Sequence, residues 1–225
     1  MRRRSRRYYM LVCSLPALPP RLDDPRPAIS KERLADRLRM LEPEDAAEID
    51  TLRAVLDWGH QFGEADDTVI VERAAELVAR AKNSLVHEIL ELGMDTRMIA
   101  AALRSRRRNV PLPAVGFGAL LGHLRRNLHK PDLGLRQRYP WIAAADELLA
   151  RGDLLSLQRR FVANGLWEYC TRRAEAYMFE LEAVVLYVVR WDCLRRWRQL
   201  DADRGRAIFE TLVKETLGEY ANGYA

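Results

Sequence analysis

The chain has 225 residues, 48% hydrophobic and 31% charged, the balance of a globular protein rather than a disordered or low-complexity one. Its three cysteines, Cys13, Cys170 and Cys193, are an odd number with no CxxC spacing, which argues against a disulfide scaffold or a thiolate zinc site. The formal net charge of +5 comes from five arginines in the first seven residues (Arg2, Arg3, Arg4, Arg6 and Arg7), so the remaining body is neutral and has no field to steer a polyanion.

Residues 1–7 read as a disordered basic arm and 8–225 as a single all-helical domain. Ser5 to Leu11 resembles a twin-arginine export signal, but the apolar run from Tyr8 meets Pro16, Pro19 and Pro20 at once, with no small-residue cleavage site. That run is expected to be a buried extended segment, and the protein to be cytoplasmic.

Ser30 can cap a helix to about Leu41, and Pro43 opens the next, with Glu44 and Asp45 at the positive end of its dipole. Ile49, Leu52, Val55, Leu56 and Phe62 keep helical spacing up to a stop at Gly63. A long amphipathic helix is predicted from about Thr68 to Gly93, with Asp95 capping another that ends in an arginine cluster. From Asn109 to Tyr139 the pattern loosens around a short helix, Phe117 to Leu128, and a loop, Lys130 to Arg138. Pro140 then begins a helix that ends near Gly152.

Asp153 caps a helix through Tyr169. Another is predicted from about Ala176 to Leu200, apolar nearly all round between Ala183 and Val189 and therefore central to a bundle. Asp201 caps the last helix, carrying Ile208, Phe209, Leu212, Val213 and Tyr220. The fold class is all-α, with sub-bundles at about 28–92 and 95–220. The longest apolar run is far short of the roughly 20 residues needed to cross a bilayer.

The search for chemistry returns no catalytic, cofactor-binding or metal residues. His60, His87, His123 and His129 are isolated and form no HxxxH or HExxH pair. Gly116 to Gly122 departs from the phosphate-binding glycine spacing and follows no strand, so close packing or a bend explains it better. Glu180 and Glu182 project from different helix faces. Arg104, Arg106, Arg107 and Arg108 could meet an acidic partner surface, although cations at a helix C-terminus also stabilise its dipole. Arg195, Arg196 and Arg198 read as the solvated face of a helix whose Trp197 turns inward. An interaction protein is expected rather than an enzyme.

Three stretches carry a family resemblance. Tyr8-Tyr9-Met10-Leu11-Val12-Cys13-Ser14-Leu15-Pro16-Ala17-Leu18-Pro19 resembles the opening of an uncharacterised bacterial family whose genes accompany those of V-type ATPases. Asp95 through Leu103-Arg104-Ser105-Arg106-Arg107 is similar to the Asp…Leu-Arg-x-Arg helix of the C-type subunit of V/A-type ATPases, called d-type in eukaryotes. Phe179, Glu182 and Tyr187, continuing to Trp191-Asp192 and Leu194-Arg195-Arg196-Trp197, resemble the same group.

The resemblance implies stacked three-helix-type bundles and a non-catalytic subunit without cofactor or metal. Such a subunit lies peripherally at the inner membrane, between the central-shaft subunits and the membrane rotor ring, and touches the membrane only through the ring. Docking would fall to Arg104, Arg106, Arg107 and Arg108, while Glu182 and Tyr187 would fix helix packing by hydrogen bonding. The competing expectation is a small helical regulator whose basic arm binds nucleic acid.

Overall fold

The computed structural model describes residues 7–22, 29–56, 67–112, 116 and 120–198. Most of the basic arm, the stop at Gly63, the Phe117 helix start and the final helix from Asp201 lie outside the described residues. Among the described residues the chain is all-helical, without strands.

The first element is α1, Tyr9–Ser14, a short helix rather than the expected extended segment. It is tied down at its start: the Tyr8 amide donates to the Phe179 carbonyl (2.9 Å), and Leu11 is 1% exposed. Then come α2, Lys31–Leu38, and α3, Pro43–Leu56. Ser30 caps α2 by accepting from the Arg33 amide, and Pro43 stands at the first position of α3, where its missing N–H costs nothing.

The next helices are divided differently from the sequence expectation. Helix α4 is Asp67–Arg80, and after three residues α5 runs unbroken over Ser84–Arg108. The break sits at Asn83, whose side chain accepts from the Leu85 and Val86 amides, so Asn83 rather than Asp95 is the cap. Gly93 does not stop the helix. A Cβ there would lie 2.6 Å from Cδ2 of Leu56, so the glycine permits close approach of α3. Helix α5 ends at Asn109 in the left-handed conformation (φ 54°), whose amide reaches back to the Ser105 and Arg106 carbonyls.

The second half begins with α6, Leu120–Asn127, and α7, Ile142–Ala150, joined by turns. Gly116 supplies packing room, since a Cβ there would meet the Met98 methyl at 2.6 Å. Helix α8, Leu154–Phe161, is capped by Asp153 through the Ser156 amide and leads into one wide π-type turn, Val162–Trp167, then α9, Glu168–Ala174. The last described helix, α10, covers residues 181–198. It starts later than the expected Ala176 because the Glu180 carboxylate accepts from the Met178 and Phe179 amides and holds a turn there.

Buried side chains form two clusters. One joins Leu11 of α1, Ile49 and Leu52 of α3, Val78 of α4, Leu85 to Met94 of α5, Trp167, Cys170 and Val184 to Leu194 of α10. In the centre of α10, Val184, Val185 and Val188 are wholly buried, as an all-round apolar stretch requires. The other cluster joins Met98 to Leu103 of α5 with Leu121 and Leu124 of α6, Leu133, Tyr139, Trp141, Ile142 of α7 and Leu157 of α8. The clusters meet on α5 between Met94 and Met98, while residues 167–194 return to the first cluster.

Candidate docking surface and polar ties

The four arginines at the end of α5 occupy two different environments. Arg106 and Arg107 turn toward α7. Arg107 donates from Nε and Nη2 to the side chain and backbone of Asp146 (both 2.9 Å), and Arg106 pairs with the same carboxylate at 2.8 Å. Arg106 also donates to the Lys130 and Pro131 carbonyls, which fastens the turn after α6. Burial pushes the Asp146 carboxyl up, and the hydrogen bonds from Arg107 and Arg106 more than offset this, leaving it below the ordinary aspartate range. Arg104 and Arg108 are exposed. On the same helix, burial first and then the charges of Arg196 and Arg104 lower the proton affinity of Arg97.

Glu182 and Tyr187, both on α10, make inter-element hydrogen bonds. The Asn83 amide nitrogen donates to Oε1 of Glu182 (3.2 Å), so α10 orients the side chain that caps α5. The Tyr187 hydroxyl donates to the Pro16 carbonyl (3.0 Å), and burial pushes its phenol up to about 12. Glu48 of α3 closes the same joint from the other side, accepting from the Lys82 amide at 2.6 Å, while His87 contacts the Ala81 carbonyl. The break between α4 and α5 is therefore held by α3, α5 and α10 together.

A second polar tie has no counterpart in the sequence expectations. Asp95, 8% exposed, accepts from the Tyr139 hydroxyl (2.5 Å) and pairs with Arg138 at 3.0 Å. Burial, then the bond to Asp95, pushes the Tyr139 phenol well above the ordinary tyrosine value. The pair lies where the two core clusters meet. A third tie joins Glu88 of α5 with Tyr169 and Arg173 of α9. Arg196 donates to the Leu56 carbonyl (2.9 Å) at the end of α3, so it is not simply a solvated residue, and the Arg159 guanidinium covers the Trp197 ring at 5.1 Å.

Among the described residues, no group of three or more His, Cys, Asp or Glu side chains could hold a metal ion. None of the described helices is long and apolar enough to cross a membrane. Cys170 and Cys193 are buried, and burial raises both thiols, Cys193 to about 12, so neither is poised as a nucleophile.

The remaining conspicuous surface surrounds Tyr8. Its hydroxyl donates to Asp45 and accepts from the Glu42 amide, while its own amide binds the Phe179 carbonyl. Tyr9, Met10, Met40 and Met178 each lie within two residues of this junction, and they are 57%, 74%, 43% and 60% exposed.

A family model described as "Protein of unknown function (DUF2764)" matches residues 71–219, from α4 past the end of α10. No curated protein and no solved structure matches the chain.

Proposed function

The chain belongs to the family of proteins of unknown function DUF2764, and we propose, from the resemblances in its sequence rather than from that membership, a non-catalytic subunit or assembly factor of a V/A-type rotary ATPase or ATP synthase. In this reading it couples the central shaft to the membrane rotor ring from a peripheral position at the membrane. One observation carries the proposal. The N-terminal and C-terminal stretches that resemble the ATPase-associated group, residues 8–19 and 179–197, pack against each other. The Tyr8 amide reaches Phe179, the Tyr9 and Phe179 rings stand 4.7 Å apart, and Tyr187 holds Pro16. The two stretches, about 160 residues apart in the chain, thus form one structural unit, which is compatible with their belonging to one motif.

The distribution of polar groups agrees with a mechanical role. Glu48, Asn83 and Glu182 secure one joint, Asp95 and Tyr139 another, and Asp146 a third, each joining segments far apart in the sequence. Such ties stiffen a bundle against shear. With Arg106 and Arg107 engaged by Asp146, the docking role assigned to the cluster falls to Arg104 and Arg108 in this reading.

The test is copurification of the tagged chain with the shaft and ring subunits of a V/A-type ATPase from the same cell. Charge reversal at Arg104 and Arg108 should weaken capture at least tenfold while leaving the helical circular dichroism and melting intact. Reversal at Arg106 and Arg107 should instead lower stability, by about 1–2 kcal/mol for a partly exposed multidentate pair. Failure of the unaltered chain to capture any ATPase component refutes the proposal.

A further inference from the structure

We propose that Arg190 on α10, stacked on Trp167, is a seat for a single carboxylate group that the described fold does not itself supply. The centre of its guanidinium lies 5.1 Å from the centre of the Trp167 ring. Its Nε is buried without a hydrogen-bond partner, and its terminal nitrogens make no bond to any described residue. The titratable groups that face it are Cys170, Tyr187 and Cys193, and burial keeps all three protonated and neutral. A half-buried cation without a counter-charge is costly, and burial accordingly lowers its proton affinity.

The same fold shows what completes such a stack. Four other ring-stacked arginines each reach a carboxylate of the chain. Arg53 and Arg195, both over Trp191, reach Asp192; Arg138, over Tyr139, reaches Asp95; and Arg173, over Tyr169, reaches Glu88. Stacking fixes the plane of the guanidinium and presents its edge for a two-point grip on a carboxylate. At Arg190 the stack forms without an acid of its own. The Thr171 hydroxyl, one helical turn beyond Trp167 on the same face, is also buried without a partner, so two polar groups around this ring lack one in the described chain. Charge selects the occupant. A carboxylate cancels one guanidinium, whereas a phosphate carries about −1.5 to −2 at neutral pH and would find no second cation among the groups that face Arg190. The carboxylate comes either from a small acid or from a glutamate or aspartate of a protein partner. The inference is independent of the rotary ATPase reading, because it requires only a carboxylate.

The experiment follows the Trp167 indole N–H resonance of the isotope-labelled full chain, assigned by its loss in Trp167→Phe. Sodium acetate should shift it saturably, half-saturating at about millimolar concentration, while equal sodium chloride should not. Inorganic phosphate should bind more weakly than acetate. Arg190→Gln should weaken acetate binding at least tenfold. Arg190→Lys keeps the charge but not the two-point grip and should weaken it at least threefold, which provides a second variant should the first disturb the fold. The short blocked peptide Ala-Glu-Ala, with Ala-Gln-Ala as its control, separates the two sources. Binding of the glutamate peptide at least as tightly as acetate assigns the seat to a partner's side chain; binding of acetate alone assigns it to a small acid. Three results overturn the proposal: no saturable shift with either acetate or the glutamate peptide, binding of phosphate or the glutamine peptide as tightly as the carboxylates, or unchanged affinity in both Arg190 variants.

Discussion

Replacing Asn83 tests the joint between α4 and α5 at a single side chain. Asn83→Ala removes the acceptor for the Leu85 and Val86 amides and the donor to Glu182. Loss of an N-cap costs about 1 kcal/mol. Loss of a hydrogen bond to a carboxylate adds about 1 kcal/mol more at this half-buried position. A total of about 2 kcal/mol should lower the urea midpoint by about 1 M, taking a slope of about 2 kcal/mol per molar.

Asn83→Asp separates the two contributions. Its carboxylate can still accept from Leu85 and Val86, but it cannot donate to Glu182 and stands beside it as a like charge. Two such charges about 4 Å apart repel by about 4 kcal/mol at an effective dielectric of about 20, an upper bound that rotation of either side chain reduces. At neutral pH the aspartate variant should therefore be at least as destabilised as the alanine variant, although it keeps the cap. Repulsion raises the folded-state pKa of the pair above its unfolded value. The penalty is thus absent below the ordinary carboxyl range and grows as pH rises through the unfolded and then the raised value. Stability should recover on acidification, and adding Glu182→Gln should restore it at neutral pH. Urea titrations at several pH values provide the readout. An aspartate variant that matches the original protein at neutral pH would refute the proposed contact.

Two further predictions concern tyrosines. Tyr139→Phe leaves the buried Asp95 carboxylate to Arg138 without the phenol's hydrogen bond and should cost about 1–3 kcal/mol in chemical denaturation; a loss below about 0.5 kcal/mol would show that the hydroxyl is dispensable. Burial first, then acceptance by Asp45 and by Glu88 respectively, pushes the Tyr8 and Tyr169 phenols up to about 12, and burial does the same for Tyr187. These neutral phenols contribute stability that is fully present below about pH 10 and lost as pH rises through about 12, so unfolding should accompany the late phase of phenolate absorbance. Titration of every tyrosine near pH 10 with retained circular dichroism would contradict it.

The helical class was legible because apolar residues recur at helical spacing over long windows, notably in α5 and α10. Where one helix stops and the next starts was less so. Gly93 followed by Asp95 has the local look of a stop and a cap, but the glycine answers to Leu56 on α3 and the aspartate to Tyr139, 44 residues away. Asn83 carried the true signal, a capping residue followed by an apolar run, and was masked by continuous periodicity on both sides. The wide turn at Val162–Trp167 leaves no mark in the apolar spacing either, since a π-type turn adds a residue without interrupting the helix.

The candidate site divides along the same line. Arg104 to Arg108 stood out as a cluster from composition alone, but its division into two engaged and two exposed members depends on Asp146, which lies on α7 and has no sequence relation to it. Glu182 was visible as a carboxylate at the edge of an apolar run, whereas its partner lies 99 residues away. The patch around Tyr8 could not be read at all, because its four apolar side chains come from three distant segments and only the fold brings them together.

The uninterrupted passage of α5 from one cluster to the other has a consequence for how this chain can evolve. Each residue added to or deleted from the turn between Met94 and Met98 would swing everything beyond it by about 100° around the helix axis and shift it about 1.5 Å along that axis. Changes of length within that turn therefore act as a coarse azimuthal dial between the two halves. Insertions near a whole number of turns, such as about seven residues, nearly preserve the bearing, whereas single-residue changes point one half in a new direction.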